Sequence, residues 1–143
     1  ARKSFAEAVR AESLIVCKED LVVPVDKEPE LLRFILAQAQ KYNLITRIAA
    51  HAGDGNIHLN ILKNEDIPYE EWEKRIANNQ AELYTYVYSL GGRLSGEHGI
   101  GYKRRGLMER FTDPVELSMM KAIKKALDPN NILNPGKIFK LDD

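Results

Sequence analysis

The chain has 143 residues, the size of one compact domain, and its 44% hydrophobic content is enough to build a core. Basic and acidic residues both number 21, and a zero net charge argues against a broad electrostatic footprint for nucleic acid or an anionic membrane. The single cysteine, Cys17, excludes an internal disulfide and a cysteine-built zinc cluster, and no apolar run approaches the ~20 residues of a transmembrane helix.

The charged opening ARKSFAEAVRAES contains no signal-peptide core, so the expected setting is cytoplasmic and reducing, with room for peripheral association at a membrane. Residues 2–14 read as a short helix with Phe5, Ala8, Val9 and Leu14 as a loose stripe. Residues 20–25, DLVVPV, read as a strand that Pro24 places at an edge or an end. Leu31, Leu32, Ile35, Leu36 and Ala39 predict a helix over 29–42, opened by Pro29 and closed near Asn43. Residues 44–52 and 56–62 are β-rich and flank a Gly-Asp-Gly-Asn reversal, the signature of a hairpin. A long helix follows over 69–90, stopped by Gly91-Gly92. A short helical turn is expected over 106–111, and Asp113-Pro114 opens a last helix to 127 with Leu117, Met120, Ile123, Lys124 and Leu127 on its seam. Met119-Met120 reads as core packing. The tail DPNNILNPGKIF carries enough apolar residues to be pinned to the body. The expectation is one α+β domain over 1–143, an antiparallel sheet covered by helices.

Two of the three histidines bracket the reversal in HAGDGNIHLN, residues 51–60. A two-residue turn at Asp54-Gly55 pairs Gly53 with Asn56, Ala52 with Ile57 and His51 with His58, which makes the histidines direct cross-strand partners. Asn60 joins them on that face, and Ile48, Ala50, Ala52, Ile57, Leu59 and Ile61 take the other as core. Two neutral imidazoles so placed can share a divalent metal, or they can form a stacked or hydrogen-bonded pair with no ion. The third histidine lies in SGEHGIGYKRR, where Glu97-His98 sits in a run with four glycines from Gly96 to Gly106. That run offers a carboxylate ligand beside a general base, or simply a flexible surface loop. It fails the phosphate-binding pattern G-x-x-x-x-G-K-[ST], and Lys103-Arg104-Arg105 reads as a solvated face.

HAGDGNIHLN, SGEHGIGYKRR and DPNNILNPGKIF, in that order, closely resemble the C-terminal region of FAD-linked 2-hydroxy-acid dehydrogenases. This is the family of D-lactate dehydrogenase, the glycolate oxidase flavin subunit and D-2-hydroxyglutarate dehydrogenase, within the vanillyl-alcohol oxidase-like flavoproteins. The resemblance covers the chain from about residue 15 onward. It implies the later part of a cap domain, with the FAD-binding domain outside this chain. It implies that His51, His58 and Glu97 bind a divalent metal, zinc or similar. It further implies that His98 takes the substrate hydroxyl proton, that Asn60 contacts substrate, and that Asn134 lies near the cofactor FAD. The implied reaction oxidises a small D-2-hydroxy acid to the 2-oxo acid with hydride passing to flavin N5. The implied electron acceptor is an electron-transferring flavoprotein, a quinone or a cytochrome. The chain is expected to be inactive alone. The alternative is a stand-alone metal-binding structural module. Such a module would close its site with a fourth protein ligand, and no obvious fourth ligand is found in the sequence.

Overall fold

The structure, a computed structural model, describes residues 2–141. The chain divides into two compact units, Ala1–Glu97 and His98–Asp143, each described in its own right. The first is α+β, an antiparallel sheet with helices, as its sequence patterns predict. It runs α1 (Arg2–Glu12), β1 (Val16–Val22), α2 (Glu28–Lys41), β2 (Ile45–His51), β3 (Asn56–Leu62) and α3 (Tyr69–Ser89). The strands lie in the order β1-β3-β2, all antiparallel. β3 takes the centre because NIHLNIL can be shielded on both faces. Ile57, Leu59 and Ile61 are buried on one side, and Asn56, Asn60 and Leu62 are buried on the other. Leu31 and Ile35 of α2 and Ile76, Leu83 and Val87 of α3 complete the core. Each such side chain contributes about 1.5–3 kcal/mol on leaving water. The helix ends follow the punctuation in the sequence. Asn43 (φ 50°) turns the chain after α2, and Gly91 (φ 79°) turns it after α3. Among the described residues no helix is long and apolar enough to cross a membrane.

Two strands differ from expectation. β1 occupies Val16–Val22, not 20–25. Pro24, with no N–H to give a ladder, stands outside at φ −50° and caps a 3₁₀ turn, while the charged stretch Lys18-Glu19-Asp20 pairs along β3. β2 is an edge strand. Ile48 is only half-buried, and Ala50 and Ala52 are exposed instead of belonging to the core. A small apolar hollow between β2, α2 and α3 is lined by Leu44 and Thr46 together with Ile35, Leu59 and Leu83. Leu14 falls beyond α1 and is 94% exposed. Cys17 is half-buried, as a small hydrophobe would be, with its thiol donating to Glu19 Oε1 at 3.3 Å.

Glu82 joins α3 to α2. Its carboxylate accepts from Lys41 Nζ at 2.6 Å, Tyr42 Oη at 2.6 Å and Gln38 Nε2 at 2.9 Å. Those donors, Lys41 first, hold its pKa down at about 2, from a usual 4.5. A depressed carboxylate pKa stabilises the fold above the unfolded value, and that stabilisation is lost as pH falls through the folded one. Glu82→Gln is therefore expected to lower the melting temperature at pH 7. Its deficit against the parent should shrink steadily between pH 4.5 and pH 2. A deficit independent of pH across that window would contradict the assignment.

The second unit contains α4 (Arg105–Phe111) and α5 (Pro114–Leu127). Asp113 caps α5 as expected, accepting from Val115 N at 2.8 Å and Glu116 N at 3.3 Å. The tail is tied down as its composition suggests. Asp128 accepts from Ile132 N and Leu133 N, Ile138 N donates to Gly101 O, and Phe139 is buried. The seam of α5 is the expected one only in part: Leu117, Met120 and Lys124 lie on it, and Ile123 and Leu127 do not. Met119, Ile123 and Leu127 are exposed, at 62%, 58% and 80%, and the half-buried positions are Glu116, Leu117, Met120, Lys121 and Lys124. Lys124 earns its place there by hydrogen-bonding to Asp128 and to Leu133 O. Of the basic run, Arg105 is more than a solvated charge. Its guanidinium lies 4.9 Å from the Tyr102 ring centre and donates to Gly136 O at 3.0 Å.

Candidate metal centre

The hairpin closes through a four-residue loop, 52–55, not a two-residue one. Asp54 N donates to His51 O at 2.8 Å, and Gly55 (φ 68°) completes the reversal. His51 therefore pairs with Asn56, and His58 pairs with Ala49, so the histidines are not direct cross-strand partners. The tertiary structure sets this register. Val23 N donates to Gly55 O at 3.0 Å, and a Cβ on Gly55 would lie 2.0 Å from Val23 O. The loop is thus held by the segment after β1, and local turn preference yields to it. The two imidazoles still share a face, now as diagonal neighbours. Their ring centroids are 5.2 Å apart and their planes nearly perpendicular, at 81°.

Glu97 closes the set. Its Oε1 lies 2.9 Å from His58 Nε2 and 3.4 Å from His51 Nε2. His51 and His58 are partly shielded, with side chains 25% and 18% exposed, whereas Glu97 is 51% exposed. The segment carrying Glu97 is led to the sheet by Arg93, whose N–H donates to Val22 O at 2.9 Å, and by buried Leu94.

Beside His58, on the same face, lies a carboxylate that sequence reasoning missed. Asp20 is fully buried and is the ladder partner of His58. Its Oδ2 accepts from Ser95 Oγ at 2.6 Å and Glu97 N at 2.9 Å, and its Oδ1 accepts from Asn56 Nδ2 at 2.8 Å. Asn56 was also missed, because it had been assigned to the turn. The strand period would have found it, since it stands two residues before His58 on the same face. Asp20 left no comparable trace. Adjacent acids in a strand point to opposite faces, and nothing local says that both Glu19 and Asp20 are buried.

Asn60 lies on the histidine face as expected. It is buried, and its Nδ2 donates to Arg47 O at 3.4 Å. His98 and Asn134 belong to the second unit, where both are exposed. Asn134 adopts φ 47° in the turn that leads to Gly136.

Two imidazole nitrogens and a carboxylate oxygen, all within 4.8 Å of one another, suit a divalent ion. Bonds of about 2.0–2.1 Å in tetrahedral geometry put neighbouring ligand atoms roughly 3.3 Å apart. The two Glu97 distances, 2.9 and 3.4 Å, bracket that spacing. Held by these three donors alone, a four-coordinate ion would keep one position for another molecule.

Fold and donor set together define an α+β module in which a hairpin presents two histidines and the segment after α3 brings Glu97 against them. Residues 1–138 match the family model described as FAD linked oxidases, C-terminal domain, and the chain belongs to that family. It is 35% identical to a D-lactate dehydrogenase of Anaerostipes hadrus, over 98% of this chain and 30% of that protein. It is 39% identical to a D-2-hydroxyglutarate dehydrogenase of Stutzerimonas stutzeri, over 85% of this chain and 27% of that protein. It is 34% identical to the glycolate oxidase subunit GlcD of Bacillus subtilis, over 99% of this chain and 30% of that protein. The chain thus spans less than a third of the length of these curated relatives.

Proposed function

We propose that this chain is the metal- and substrate-binding part of a flavin-dependent dehydrogenase that oxidises a D-2-hydroxy acid of the lactate or glycolate type to the 2-oxo acid. One observation carries the reading: the hairpin histidines His51 and His58 and the distant Glu97 converge with metal-ligand spacing. The names of the relatives agree with it. When bound, a divalent ion would supply Lewis acidity toward the substrate's hydroxyl and carboxylate, and FAD would supply the hydride acceptor. The chain's own residues do the rest. His51 and His58, on the two strands of the hairpin, would each hold the ion through one ring nitrogen. Glu97 brings only one negative charge, so a bound divalent ion would leave the site net positive toward an α-hydroxy carboxylate.

His98, the next residue after Glu97 in the chain, is the base that takes the hydroxyl proton, as its exposed imidazole permits. Asn60 orients substrate from the histidine face, and Asn134 faces the cofactor. The electron acceptor is an electron-transferring flavoprotein, a quinone or a cytochrome.

Zinc titration of the chain, followed by titration with D-lactate, tests the reading. His58→Ala and Glu97→Gln should each weaken zinc by more than the ~10–100-fold typical of changes outside the ligand shell. His98→Ala should bind zinc like the parent. D-lactate should bind only to the zinc-loaded chain; binding that ignores zinc would defeat the proposal.

A further inference from the structure

Asp20 is placed to do more than fill the core. Its carboxylate accepts from an amide N–H of Glu97, the hydroxyl of Ser95 and the side-chain amide of Asn56, and it is 0% exposed. The Glu97 N–H cannot turn round to accept, so its partner must be an acceptor. The orientation of Asn56 is settled in the same way. Its Nδ2 faces two acceptors, Asp20 Oδ1 at 2.8 Å and Leu21 O at 2.9 Å, and the opposite assignment would set oxygen against oxygen. Between Ser95 and Glu97 lies Gly96, where a Cβ would come within 2.2 Å of Asn56 Nδ2. The 95–97 segment therefore lies flat on Asn56, and only glycine lets it do so.

The consequence reaches both kinds of ligand. Glu97 has a long, half-exposed side chain on an irregular segment, which by itself would sample many rotamers. Anchoring its backbone N–H to Asp20 confines the Cα so that the carboxylate meets both histidines. His58 presents Nε2 to Glu97 at 2.9 Å and Nδ1 to Asp20 Oδ1 at 3.7 Å. The second distance is too long for a hydrogen bond, but the charge still favours the proton on Nδ1 and leaves the Nε2 lone pair for an ion.

We propose that Asp20 is the positioning residue of this site: from beside His58 on the same sheet face it fixes the Glu97 backbone through Oδ2, with its Oδ1 charge facing His58 Nδ1. The proposal rests on the reading of His51, His58 and Glu97 as a metal set, and its test separates the two. The 143-residue chain and its Asp20→Asn variant would be compared by zinc titration calorimetry and by NMR hydrogen exchange at the Glu97 amide. The expected result is a folded variant with zinc affinity ~10–100-fold weaker. Its Glu97 amide should exchange faster and lose the chemical shift of a carboxylate-bound N–H. If the folded variant matches the parent in both readouts, the proposal is overturned. If the parent binds no zinc, yet Asp20→Asn releases the Glu97 amide, the positioning role of Asp20 stands and the metal reading falls. If Asp20→Asn does not fold, Ser95→Ala decides. It removes one donor from Oδ2 at a partly exposed position, and should speed Glu97 exchange and weaken zinc several-fold. Ser95→Thr, which restores the hydroxyl, should rescue both, and an unchanged Ser95→Ala would overturn the proposal.

Discussion

Gly55→Ala is expected to destabilise the chain by about 2–5 kcal/mol, whereas Gly53→Ala, two residues away in the same loop, should change stability by less than about 0.5 kcal/mol. Gly55 holds φ 68° and lies against Val23, whose carbonyl oxygen would sit 2.0 Å from an added Cβ. The left-handed conformation costs a non-glycine residue roughly 1–2 kcal/mol, and a backbone clash of this size costs roughly 1–3 kcal/mol more. Gly53 has nothing within 4 Å of such an atom and needs no special φ. Because Gly55 locks the register, its loss should also part His51 from His58. Urea melts of the two variants measure the first effect, and a zinc titration measures the second. Equal stability in the two would mean that the loop is not held by Val23.

Glu19→Ala should also be costly, at about 2–4 kcal/mol, because it removes buried hydrogen bonds to a charged group. Glu19 is 2% exposed, yet it receives Tyr84 Oη, Gln80 Nε2 at 2.6 Å and Cys17 Sγ at 3.3 Å. It binds β1 to α3 from the face opposite Asp20. Truncating it strands the hydroxyl of Tyr84, which is itself 0% exposed, and a buried orphan costs about 1–3 kcal/mol. Glu19→Gln should be milder, since the Tyr84 hydroxyl can rotate to accept from the new amide. A double-mutant cycle with Tyr84→Phe would isolate the pair. If Glu19→Ala melts like the parent, the buried contact is not holding the strand.

Both predictions depend on what the sequence alone could not reveal. The hairpin itself was legible. Asn56–Leu62 alternates between faces, and a loop of glycines and an aspartate must reverse the chain. The register was not legible, because Asp-Gly favours a two-residue turn when considered locally, and the deciding contact comes from Val23, some thirty residues earlier. The pairing His51↔Asn56 follows from that contact. The histidines were correctly brought together, but by a diagonal and not by the direct pairing expected. Likewise β1 was half-hidden. Nothing local marks Glu19 and Asp20 for burial, and it makes sense only once Tyr84, Ser95 and Glu97 arrive with matching donors.

What the sequence determined by itself was local or compositional: helices from apolar periodicity, their ends from Asn43, Gly91 and Asp113, and the candidate donor types from three histidines and a Glu-His pair in a glycine run. These are properties of short windows, in which backbone sterics and side-chain period act alone. The tertiary structure decided the strand register, the burial of Glu19 and Asp20, and which side of α5 is shielded. Each of these turns on whether a polar or apolar group finds a partner far away in the chain. A buried carboxylate is costly until its donors are in place, and those donors have no local signature.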